Sequence, residues 1–292
     1  MNNTMIIDFH THTFPDKIAP RAIDKLSHEA HLVPHTDGTA SCLAASAKEA
    51  GIDLSVILPV ATSPEQVVNI NDSALRINGE GSALLSFASM HPDFGEYKKE
   101  LLRIKEHGFK GIKLHPVYQK TDIDDISFLR ILSCAAELDL IVVTHAGLDV
   151  GFPLEMQSSP EKCKNAWNEV GPFRFVLAHM GGWKNWPEAK ELFAGSGVWI
   201  DTSFSTDRMD TLTDGYWAEE EKKLLDAEAF LDMVNAFGTD KVLFGTDSPW
   251  SDQKKSLDFI KSLPLSDNDK NMILGDNASR LLDLFTRNSD IL

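Results

Sequence analysis

Basic residues are scarce: 28 Lys and Arg stand against 44 Asp and Glu, a formal charge of −16 over 292 residues. A field of that sign repels phosphate backbones and anionic headgroups, so neither nucleic acid nor a membrane surface is an expected partner. The acidic block Glu219, Glu220 and Glu221 reads as an exposed helical face. Cysteine is scarcer still. Cys42, Cys134 and Cys163 are far apart and lack Cys-x-x-Cys spacing, which argues against a disulfide framework; they read as reduced, buried thiols. No apolar run approaches the length of a membrane span, and Met1 leads directly into Ile6-Ile7-Asp8 without the basic and apolar regions of a secretory leader. A cytoplasmic location is the expectation. Pro- or Gly-rich linkers and low-complexity tracts are also missing, so residues 1–292 are read as one domain, long enough to bury a large core.

What the chain does have is a recurrence of short apolar runs, at residues 5–9, 54–60, 83–88, 109–114, 140–144, 173–178, 198–201 and 242–245. They are continuously hydrophobic rather than alternating, the pattern of parallel strands covered on both faces. Between them lie segments with helical spacing, such as Tyr97, Leu101 and Ile104, or Phe128, Ile131, Leu132 and Ala135. Eight strands alternating with helices predict an α/β fold, a (β/α)8 TIM barrel, with an open doubly wound sheet as the alternative. The gaps at residues 13–53 and 203–241 are long enough for lids or extra helices. A final helical pattern, Leu274, Ala278, Leu281, Leu282 and Phe285, is expected on the barrel exterior.

The unusual residues fall at strand ends. The first run leads into His10-Thr11-His12, the fourth carries Lys113 and ends at His115, the fifth ends at His145, the sixth at His179 and the eighth at Asp247. In a parallel barrel all of these positions share the C-terminal rim, where barrel active sites are built. Strand side chains alternate faces, so His10 and His12 point the same way and can grip one ion. Imidazoles with a carboxylate suit a divalent metal such as zinc while leaving a position for water. His10, His12, His145 and Asp247 make that set. A lone His-x-His pair carries little weight, and Asp247 alone, followed by Ser-Pro, reads as a turn or helix-capping residue. The joint placement, each histidine ending a different apolar strand, decides for the metal. Lys113 and His115 divide evenly between a direct role and an ordinary one, as a snorkelling or paired cation and a strand end.

These residues resemble the amidohydrolase superfamily, above all its amidohydrolase-2 branch, which includes enzymes like aminocarboxymuconate-semialdehyde decarboxylase. The resemblance rests on Asp8-Phe9-His10-Thr11-His12, Gly111-Ile112-Lys113-Leu114-His115-Pro116, Thr144-His145-Ala146-Gly147, Ala178-His179-Met180-Gly181-Gly182, Gly245-Thr246-Asp247-Ser248-Pro249 and Asn277-Ala278-Ser279-Arg280-Leu281-Leu282. It implies a distorted barrel whose divalent ion, usually zinc, is held by His10, His12, His145 and Asp247. It also implies that His179 acts as an acid/base or polarising group. In binuclear relatives a carboxylated lysine on the fourth strand bridges two ions and the sixth-strand histidine holds the second, so Lys113 and His179 keep a second ion open, although one is favoured. His115 departs from the usual ligand sets and is left between substrate, a second metal and no role.

The chemistry expected is water activation on the ion, with Asp247 moving the proton, against a small-molecule carbonyl, amide, ester or lactone. Non-oxidative decarboxylation of an unsaturated or aromatic carboxylate uses the same apparatus and is the alternative. A nuclease fits poorly with the acidic charge, and a metal sensor would need a closed site. Trp183, Trp217 and Trp250 lie near the active strand ends, either lining the substrate pocket or simply packing the loops. A homo-oligomer stays open.

Overall fold

In the computed structural model the described residues are 5–79 and 83–284. The strands are β1 (Ile7–Thr11), β2 (Leu54–Ile57), β3 (Leu84–Ser86), β4 (Ala88–Ser89), β5 (Gly111–Leu114), β6 (Ile141–Thr144), β7 (Phe175–Leu177), β8 (Trp199–Asp201) and β9 (Val242–Leu243). Within each sheet every neighbouring pair is parallel. The run expected as one third strand is broken at Phe87. Residues before the break pair with β2 and those after it with β5, the stagger that barrel closure imposes on neighbouring strands. The ladder still passes through, because Phe87 N–H donates to Ile57 O at 2.9 Å. On the other side Phe9 N–H donates to Phe244 O at 2.8 Å and Thr11 bridges Ser248 in parallel, so the sheet closes on itself and the open-sheet alternative is excluded.

Closure explains why the strands show no alternation of polarity. Inward positions two apart, Ile7 and Phe9, Val56 and Leu58, Ile141 and Val143, fill the barrel with Phe87, Val176 and Leu243. Outward positions such as Ile112, Val142, Phe175, Ile200 and Phe244 pack against the helices. Inside, β5 offers only Gly111 beside Phe87, where an added Cβ would lie 2.2 Å from Ile141 O.

The helices are α1 (Ala19–Ala30), α2 (Ala40–Ala50), α3 (Val67–Gly79), α4 (Tyr97–Glu106), α5 (Ile126–Glu137), α6 (Pro160–Val170), α7 (Trp186–Phe193), α8 (Ala227–Phe237), α9 (Gln253–Ser262), α10 (Asp267–Asn271) and α11 (Asn277–Leu281). The periodic residues Leu101 and Ile104 of α4 and all four named for α5 are buried. Side-chain caps from Asp125, Ser159, Asp226 and Asp252 start α5, α6, α8 and α9. None of the described helices is long and apolar enough to cross a membrane.

Three expectations are corrected. The terminal segment lies on the exterior only at its start: Leu274 joins the outer cluster, but Ala278, Leu281 and Leu282 join Ile7, Phe9 and Trp199 in the interior one, closing the N-terminal end of the barrel. Asn277 fixes it there, donating to Thr239 O and Val242 O at 2.8 Å each; Phe285 lies outside the described residues. Glu219 to Glu221 are exposed but form turns, because bridges Arg208–Lys223 and Thr206–Leu225 pull their neighbourhood into an extended hairpin. Among the three free cysteines only Cys163 is buried; Cys42 and Cys134 are half-buried, since their helices turn them toward the flank.

The first long gap holds α1 and α2, and the second holds an irregular segment before α8. The two meet above the rim. Val33 N–H donates to Asp210 O (2.9 Å), His31 Nδ1 meets Asp214 Oδ2 (2.6 Å), and Trp217 Nε1–H donates to Ala30 O (3.0 Å).

Candidate metal centre and pocket

β1 delivers His10 and His12 to one side of the barrel mouth, and the turn after β9 brings Asp247 to meet them. Asp247 N–H donates to His10 O (2.8 Å), and its own φ is +67°, a left-handed backbone that Asp tolerates better than most residues. His10 Nε2 lies 3.2 Å from His12 Nε2, and Asp247 Oδ1 lies 3.1 Å from His12 Nε2 and 3.5 Å from His10 Nε2. Ligands arranged tetrahedrally about 2.0–2.1 Å from one ion stand about 3.3–3.4 Å apart, so these three edges suit a shared cation.

The proton positions point the same way. His10 Nδ1 faces Asp201 Oδ2 at 2.8 Å and His12 Nδ1 faces Leu58 O at 2.7 Å, so the hydrogen-bond partners assign the ring proton to Nδ1 in both. The two Nε2 lone pairs then confront each other, with Lys113 Nζ 3.1 Å from that of His10, an arrangement that a metal cation between them would relieve. Burial, with Lys113 nearby, lowers His10 to about 3, so it offers a lone pair rather than a charge. Burial would raise Asp247, yet the imidazoles of His12, His10 and His179 around it hold it well below the ordinary carboxylate range.

Behind this group stand two buried acids that sequence reasoning missed. Asp201, ending β8, accepts from His10 Nδ1, from His179 N–H at 3.0 Å and from Ser203 N–H at 3.1 Å, and it also takes the Ser203 hydroxyl. Burial pushes it up, but His10, His179 and the Ser203 hydroxyl together hold it well below the ordinary carboxylate range. Asp8 receives Thr246 N–H (2.9 Å), Thr246 Oγ1–H (2.7 Å) and Gln253 Nε2–H (2.8 Å), tying β1 to the loop that carries Asp247. Burial lifts Asp8 to about 7 against those donors. The signal was an acid placed inside or ending an otherwise apolar strand. Asp201→Asn is expected to weaken metal binding by about 10–100-fold, measured by competition with a chromophoric chelator. Unaltered affinity would reduce Asp201 to a folding role.

His145 does not join the tight group. Its Nδ1 lies 3.0 Å from His179 Nε2, while its Nε2 lies 3.0 Å from Leu148 O. His179 Nδ1 in turn faces Ser203 O at 3.0 Å. With each outer nitrogen turned to a carbonyl, the 3.0 Å contact holds two inner nitrogens that must share one proton or cation. Burial keeps both rings below the ordinary imidazole range. His179 and Met180 have φ of +59° and +56°, consecutive left-handed residues that cost energy and are held by Asp201.

Lys113 is wholly buried, with Nζ 3.1 Å from His10 Nε2; burial depresses its ammonium to about 8 against the pull of Asp201, Asp247 and Asp149. His115 stacks on His145 with ring centroids 4.3 Å apart and planes 14° from parallel. Its Nε2 faces Asp149 Oδ2 at 3.5 Å, and Asp149 Oδ2 lies 3.9 Å from His145 Nε2. These three residues are close enough to suggest a second metal group. Stacked rings, however, send their lone pairs out in parallel planes rather than toward one point, so we read the group as pocket wall. Burial lifts Asp149 to about 7.

The cavity, about 80 Å³, is lined by His12, Lys113, His145, His179 and Asp247 at its metal end. Leu26, Leu32, Tyr118, Trp183, Phe204 and Trp250 line the rest. Of the three tryptophans considered, Trp183 and Trp250 thus face the cavity, and Trp217 packs in the cluster behind them.

The amidohydrolase profile matches residues 7–284, and no curated protein matches the chain. A dihydroxybenzoic acid decarboxylase from a Polaromonas species, with bound manganese and 2-nitroresorcinol, superposes with a TM-score of 0.68 at 15% identity over 97% of this chain and 98% of that one. The 5-carboxyvanillate decarboxylase of Sphingomonas paucimobilis gives 0.65 at 14% identity over 96% and 99%. A Pseudomonas putida protein described as a 2-pyrone-4,6-dicarboxylic acid hydrolase gives 0.64 at 15% over 97% and 99%. With a barrel closed around a histidine-rich mouth and a profile match that runs through nearly all of its length, the chain belongs to the amidohydrolase family of enzymes.

Proposed function

We propose that this enzyme uses a divalent ion to add water to the carbonyl carbon of a small amide, ester or lactone. The observation that carries the reading is the pair of facing Nε2 lone pairs of His10 and His12, closed by Asp247. Zinc suits this donor set, as does manganese, the ion of the Polaromonas decarboxylase. His145 is the fourth ligand suggested by resemblance; alternatively, Lys113 and His179 help to hold a second ion. A bound ion supplies Lewis acidity and lowers the pKa of water from 15.7 toward about 7. Asp247, ionised at the cavity end, accepts a proton from the attacking water and returns it to the departing nitrogen or oxygen as the carbonyl bond to it breaks. His179, fixed by Ser203 and Asp201, orients the carbonyl oxygen.

The decarboxylases among the structural relatives favour a second reading, in which an unsaturated or aromatic carboxylate loses CO₂ and its ring carbon takes up a proton. Turnover in ¹⁸O-labelled water separates the two: hydrolysis puts label in the organic product, whereas the lyase releases CO₂ and leaves its organic product unlabelled. Stripping the metal with a chelator is expected to abolish turnover of a panel of lactones, esters, amides and aromatic carboxylates, and adding zinc or manganese to restore it. Full activity in metal-free protein sinks the proposal. His179→Asn is expected to keep its metal and lose roughly 10²–10⁴-fold in turnover. Loss of half the metal instead points to two ions.

A further inference from the structure

Beside the metal end, next to His145, the cavity carries a carboxylate that the proposed chemistry leaves unused. Asp149, four residues beyond His145 on the loop after β6, is 5% exposed and lines the cavity. Its Oδ1 accepts Gly151 N–H at 2.8 Å. Phe152 N–H also supports the carboxylate, and its Oδ2 faces two imidazole nitrogens at 3.5 and 3.9 Å, one of which, His145 Nε2, is engaged with Leu148 O. No arginine lines the cavity among the described residues, and its single cation, Lys113, sits at the metal end against His10. The surrounding wall is aromatic: Tyr118, Trp183, Phe204 and Trp250. Lys113 acts on Asp149 without forming an ion pair with it, a buried carboxylate with no cation in contact is costly, and aromatic faces attract cations, so these features favour the same guest. A second carboxylate on the ligand would meet Asp149 with like charge.

We infer that this wall binds a protonated amino group of the substrate, with Asp149 as its counter-ion and the aromatic side chains as its surround. This names a substrate class for the proposed site, a small carbonyl or carboxylate compound bearing an amine, and it rests on that reading for the metal end alone.

Binding can be read from tryptophan fluorescence, because Trp183 and Trp250 line the cavity. The probes are 3-(aminomethyl)benzoate, its uncharged counterpart 3-methylbenzoate, and isophthalate, titrated into metal-loaded protein. The amine is expected to bind about 10-fold or more tighter than the methyl compound, with isophthalate weakest. In Asp149→Asn and Asp149→Leu that advantage should shrink to under about 3-fold while 3-methylbenzoate binds as before. Equal affinities in the wild type, an advantage that survives both substitutions, or failure of all three probes to bind overturns the inference. Metal content is measured on the same samples. An Asp149→Asn protein that loses its ion makes Asp149 a ligand and also overturns it. A wild type that binds no ion yet prefers the amine defeats the functional reading and spares this one.

Discussion

Asp247→Asn should reduce turnover by about 10³-fold while the protein remains folded. Asparagine is the informative replacement because Asp247 holds a φ of +67°, which Asn adopts readily and Ala does not. The backbone bond from Asp247 N–H to His10 O is kept, as is the side-chain volume. What disappears is the negative charge 3.1 Å from His12 Nε2, and with it both a metal ligand and the group proposed to carry the proton. Circular dichroism and thermal unfolding close to the wild type, together with a steady-state rate near zero, are the expected pair of results. A variant within about 10-fold of wild-type turnover would remove Asp247 from the proposed proton path.

The second large effect lies in stability. Asp8→Ala deprives three buried donors, Thr246 N–H, Thr246 Oγ1–H and Gln253 Nε2–H, of their acceptor at once. Unsatisfied buried groups cost about 1–3 kcal/mol each and do not add fully once the site relaxes, so a loss on the order of 3–5 kcal/mol is expected from urea unfolding. Because those donors fasten β1 to the turn carrying Asp247, the variant should also retain metal poorly. Unfolding free energy within about 1 kcal/mol of the wild type would show that water replaces the carboxylate without cost.

The barrel was legible because strands buried on both faces leave continuous apolar runs, and the meeting of His10, His12 and Asp247 because they interrupt those runs where the strands reach the rim. His145 and His179 were placed on the same rim, but which nitrogens converge depends on side-chain partners such as Leu148 O and Ser203 O, about which spacing says nothing. Asp8 and Asp201 were visible as acids in apolar strands. Nothing local distinguishes a buried anchor from a strand end, since their partners Thr246 and Ser203 are set by closure of the barrel. Asp149 gave no signal at all, because its place in the cavity is decided by a loop. The helical period of Leu274 to Leu282 was read correctly as apolar, but periodicity does not say which surface receives it, and the open end of the barrel took it.

That placement of α11 affects how the molecule is made. Leu281 and Leu282 complete a cluster begun by Ile7 and Phe9, so β1 and α11, far apart in the chain, depend on each other. A nascent polypeptide leaving the ribosome has all its strands before it has this stopper, and until the stopper arrives its apolar lumen lies open to water at one end. Contacts this distant in sequence are slow to form, and the interval before they do is when the growing chain most needs shelter from aggregation.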